Sequence, residues 1–132
     1  MTGGLDRRLV LRGAAIVLAI LVPPVVVIRS LLGPDSDSPL WNLIVVLFLV
    51  SFVVGGAATA GRAEHGPIKH AAAAGAAAFG AALLIGLVRN LLTGWSLGLA
   101  GFVTALLLWQ IAVSLSMVGG LFGRRRRQEA TP

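Results

Sequence analysis

An all-α integral membrane protein built as a bundle of four transmembrane helices is the fold class this sequence predicts. Three observations predict it. Hydrophobic residues make up 57% of the 132, and the mean hydropathy is +0.91. Charged residues are only 12%, about half the usual share of a soluble domain. The apolar residues gather in four long segments separated by short polar connections. An apolar stretch of about 18 residues reads as a spanning helix, because only intrahelical bonds satisfy the backbone in lipid.

The first segment, residues 13–28, lies between Arg12 and Arg29. It would span about 24 Å, short of a hydrocarbon core of ~30 Å. Extension to a helix over about 10–32, with the arginine side chains reaching outward, closes the gap. Arg7, Arg8 and Arg12 precede it as in a signal peptide, but "RSLLGPDSDSP" follows it and offers no A-x-A-like cleavage site, so a retained helix is expected. Pro23 and Pro24 fall mid-helix. Each removes a backbone donor and crowds the preceding turn, so the pair is a candidate hinge where a kink or break is expected.

The second helix is expected over about 40–61, the third over 70–90 and the fourth over 97–120. Short connections make successive helices antiparallel neighbours. The chain is then two consecutive helical hairpins forming one membrane domain over 1–132, with short basic tails expected to be poorly ordered. Nine of the eleven basic residues fall in the two tails and in the loop "GRAEHGPIKH". All three segments lie on one side of a four-span chain. The positive-inside rule predicts both termini in the cytoplasm. The opposite side receives Asp35 and Asp37.

Leucine gains little by leaving lipid for another helix, so packing is expected to rely on small residues. Ala72, Ala76 and Gly80 form one such row of the third segment, and Ala71, Gly75 and Phe79 the adjoining row. Gly56 with Ala60, or Ala57 with Gly61, offers a match on the second helix. Ala112, Ser116 and Gly120 offer one on the fourth.

Candidate chemistry is sparse. The five acidic residues, Asp6, Asp35, Asp37, Glu64 and Glu129, all lie in tails or loops. A proton-coupled transporter usually needs an ionisable group at mid-membrane. Gln110 is the most polar side chain deep in a helix and a candidate intramembrane polar site, with packing across the bundle the commoner role. Thr104, Ser114 and Ser116 can bond their own helix carbonyls. Arg29 and Arg89 each end an outward-going helix. They are candidate anion or salt-bridge sites, expected near Asp35 or Asp37 or at lipid headgroups. Arg124, Arg125, Arg126 and Arg127 are candidates for anionic lipid headgroups. His65, His70 and Glu64 read as solvated loop residues, too few for a zinc site. No cysteine, phosphate-binding loop or HExxH motif is present, so no cofactor, metal or catalytic role is expected. The charges sit between apolar segments with no reading domain, so no nucleic-acid partner is expected.

The stretch "GGAATAGRAEHGPIKHAAAAGAAAFG", residues 55–80, resembles a hairpin of small four-helix bacterial membrane proteins of unknown function. The resemblance implies a topology and no activity. The expected function is a non-enzymatic accessory or structural subunit of a larger complex in a bacterial plasma membrane. The alternative is a small oligomeric transporter or lipid-handling protein. The expected partners are the bilayer, its anionic headgroups, and other membrane subunits or further copies of the chain.

Overall fold

The computed structural model describes residues 4–33, 37–94 and 98–130, and these form four helices: α1 (Arg7–Leu32), α2 (Leu40–Ala60), α3 (Pro67–Thr93) and α4 (Leu99–Ala130). No strand occurs among the described residues. Each helix is long and apolar enough to cross a membrane, as a multi-pass membrane protein requires.

Local chemistry sets the ends. The Asp6 carboxylate caps α1 by accepting from the Arg8 amide at 2.9 Å. Gly33, at φ +73°, closes α1 and donates its amide to the Arg29 carbonyl. Gly66 takes the left-handed conformation that turns the chain into α3. Pro67 follows at the first helical position, where a missing N–H costs nothing. α3 therefore starts three residues before its apolar stretch suggests.

Two expectations change. Pro23 and Pro24 do not break α1, which is one helix across both. The carbonyls four residues earlier, on Ala19 and Ile20, lose their helical donors, but the fixed proline φ is itself helical. The C-terminal tail is not disordered, since α4 continues through all four arginines to Ala130. Arg, Gln, Glu and Ala are good helix formers, and cations at a helix C-terminus are favoured by its dipole. At ~1.5 Å per residue α4 reaches about 48 Å, well beyond the bilayer core.

α2 and α3 pack on each other and on both remaining helices, whereas α1 and α4 do not meet. The most extensive contact, between α2 and α4, joins the two hairpins rather than closing either one. One end of the bundle, here the base, holds the start of α1, the α2–α3 loop and the end of α4. The other, the distal end, holds the remaining two connections.

Candidate functional site

Burial is confined almost wholly to the base. The buried residues of α2 begin at Ser51, those of α3 stop at Phe79, and those of α4 begin at Ala112. On α1, Gly13, Ala14 and Val17 are buried, with Ile28 the one exception toward the distal end. Phe48, Phe52 and Phe79 form the boundary. Their ring centroids lie 4.8 to 6.4 Å apart in tilted and edge-on arrangements, which suit the aromatic quadrupole.

Below the rings, glycine brings backbones together. A methyl group on Gly56 would overlap the Ser116 carbonyl, one on Gly119 the Val53 carbonyl, and one on Gly123 the Ala57 carbonyl. α2 and α4 thus meet backbone to backbone over two turns, the close approach that small residues permit in lipid. On α3 it is the row Ala71, Gly75 and Phe79 that is buried, while Ala72 and Ala76 are half-exposed and Gly80 is exposed. Thr104 and Ser114 bond carbonyls of their own helix as expected. Ser116 instead crosses to α3 and donates to the Ala71 carbonyl at 2.6 Å.

His70 corrects the sequence reading. It is not a solvated loop residue but the first buried side chain of α3, 6% exposed. Its Nδ1 lies 3.0 Å from the Gly66 carbonyl, and its Nε2 accepts from the Asp6 backbone N–H at 2.9 Å. These two bonds together require a neutral ring with its proton on Nδ1. The histidine thereby pins the entry to α1 onto the start of α3. His65 and Glu64 remain exposed, and among the described residues no three His, Asp or Glu side chains group as a metal site.

A second tie closes the base. Arg127 Nη1 donates to the Ala63 carbonyl in the α2–α3 loop. Ala63 is buried, and the amides of Arg62 and Ala63 fold back onto the last turn of α2. The four consecutive arginines are therefore not equivalent. Successive residues on a helix are ~100° apart, so only some can face the bundle. Arg125, Arg126 and Arg127 line a groove of about 800 Å³ between the ends of α2 and α4, and Arg124 does not.

The distal half is open. A groove of about 550 Å³ separates α3 from α4, lined by Leu83, Gly86, Asn90, Phe102 and Ala105 among others. Asn90 supplies its one polar side chain. Arg89, beside it in sequence, is exposed, as is Arg29 at the end of α1. Asp35 lies outside the described residues. Asp37 is exposed, and among the described residues no ion pair joins it to either arginine.

Gln110 does not pack across the bundle. It stands on the outward face of α4, near the middle of the apolar residues 99–123, and its side chain has no partner among the described residues. The candidate hinge, Pro23 and Pro24, is exposed and half-buried respectively, away from both grooves. Comparison with protein-family models, curated proteins and solved structures finds no match to this chain.

Proposed function

We propose that this chain is a non-enzymatic accessory subunit of a membrane complex, docking onto a partner protein through the outward face of α4. Gln110 carries the reading. An amide facing lipid near mid-bilayer leaves two donors and an acceptor without water, at a cost of a few kcal/mol. A partner helix bearing an amide, hydroxyl or free carbonyl removes that cost. Val103, Leu107, Ser114, Met117 and Leu121 continue the face above and below Gln110 at alternating steps of three and four, the spacing of a helix–helix seam. All five are exposed.

The proposed setting is a bacterial plasma membrane with both termini in the cytoplasm. Arg7, Arg8, Arg12, Arg62, Lys69 and the four terminal arginines all belong to the basal end, the distribution expected of a cytoplasmic face. Fusion of a cytoplasm-active reporter to either terminus is expected to be active, with periplasmic reporters silent.

The decisive experiment is purification in mild detergent from native expression levels, comparing the wild type with Gln110→Leu. A second membrane protein is expected to co-purify at fixed stoichiometry and to be lost from the variant, while the variant keeps its own thermal stability. Recovery of the chain alone from wild-type cells would refute the reading.

A second reading, a lipid-handling or small transport protein, is favoured by one observation: the distal α3–α4 groove, about 550 Å³ in volume and apolar except at Asn90. Phospholipid scrambling in reconstituted vesicles, abolished by Gly86→Trp, would support it over the first.

A further inference from the structure

The basal groove between α2 and α4 has the parts of a site for one phospholipid. Its floor is apolar, made by Val53, Val54, Ala58 and Phe122. That floor belongs to the membrane-spanning parts of both helices. Its rim is basic, because α4 outlasts α2 and carries Arg125 and Arg126 past the point where α2 ends at Ala60. Arg127, the third arginine at this rim, is already engaged with the Ala63 carbonyl. Arg125 and Arg126 have no side-chain partner among the described residues, and both are exposed. Glu129 stands on the same rim, and two unengaged guanidiniums against one carboxylate leave it net positive.

We infer that this groove binds an anionic phospholipid of the leaflet at the base, its phosphate held by Arg125 and Arg126 and an acyl chain lying on Val54, Ala58 and Phe122. Arginine suits the role, since its planar fork can present two N–H groups to one phosphate. A free phosphate would use the rim alone, and an acidic protein segment would have no use for a floor that faces hydrocarbon. The lipid needs both. The site is separate from the Gln110 face and does not rest on the docking role proposed for it. It also gives the four arginines different roles. Arg127 fastens the loop, Arg125 and Arg126 hold the lipid, and Arg124 does neither.

The test is native mass spectrometry of the full chain released from phosphatidylcholine nanodiscs containing graded phosphatidylglycerol. Wild type is expected to retain one phosphatidylglycerol per chain in preference to phosphatidylcholine. Arg125→Gln with Arg126→Gln is expected to weaken that retention roughly 30-fold, the effect of about two interfacial basic residues. Arg7→Gln with Arg124→Gln removes the same charge from the same end and is expected to change it far less. Ala58→Trp, which fills the floor, and Phe122→Ala, which strips it, should each weaken retention with the charge untouched. Circular dichroism and thermal melting report whether each variant is folded. Equal losses in the two double arginine variants would overturn the proposal in favour of diffuse attraction. Floor variants that fold and retain lipid normally would overturn it in favour of a headgroup-only contact.

Discussion

The two halves of this bundle are both strongly apolar and behave in opposite ways. In the basal half Gly56, Gly119 and Gly123 press α2 and α4 together against facing carbonyls, and the basal groove runs beside that seam. The distal half, built of sequences such as "LIVVLFLV" and "ALLLW", leaves a groove between α3 and α4. In water both halves would collapse alike. In lipid a leucine is as well solvated by acyl chains as by another leucine, so hydrophobicity gives it no reason to turn inward. What distinguishes the halves is how closely their backbones can approach. Side-chain size, rather than polarity, decides where this protein is tight.

That contrast breaks most visibly at the glycine seam. Gly119→Leu, or Gly56→Val, drives a side chain into a backbone that cannot yield, and is expected to cost about 4 kcal/mol or more. Chain unfolding in a detergent–denaturant titration should show the variant unfolded where wild type is intact. Next is Phe52→Ala, which empties a site only 1% exposed at the boundary between the halves. Lipid removes most of the transfer contribution but leaves the cavity, so a loss of about 2 kcal/mol is expected in the same titration. The matching distal change, Phe102→Ala, should cost less than about 0.5 kcal/mol, since that ring faces open space.

His70→Ala is expected to cost about 1 kcal/mol by taking the acceptor from the Asp6 amide, while the Gly66 carbonyl keeps the backbone amide of residue 70. Its particular signature is faster hydrogen exchange at Asp6 and earlier proteolysis before α1, with the α2–α4 seam unaffected. Ser116→Ala removes one interhelical bond and should cost only about 0.6 kcal/mol, as such bonds do in membranes. Smallest is Gly86→Ala. A methyl there meets nothing within 4 Å, and the gain in helix propensity should make the variant neutral or slightly more stable. A large loss at Gly86 would mean that the distal half is packed after all.

The helices are legible in the sequence because apolar length alone betrays a span. Their faces are illegible for the same reason. In helices that are apolar all round, no stripe marks the inside, so the Ala72 row and the Ala71 row look alike. Only the partner surfaces choose between them, with Ser116 and Gly120 facing Ala71. Gln110 stands out in the sequence as the lone deep amide, yet which way it faces depends on where Ala112 and Ser116, its buried neighbours, have to go. His70 is hidden because its partner lies 64 residues away, in a tail with no periodicity to read. Arg127 is hidden by three identical neighbours. Helical phase tells them apart, and a tail expected to be poorly ordered has no phase to read.

The seam also carries a message about the order of assembly. Gly56 and Ser116 are 60 positions apart in the chain, and α1 and α4 never touch. During synthesis, α1 to α3 are complete before any of α4's buried residues exist. Gly56 must meanwhile wait without its α4 partner, whereas Gly55 already faces Gly13 and Val17 of α1. The α2–α4 seam can therefore form only after the other three helices have been synthesised.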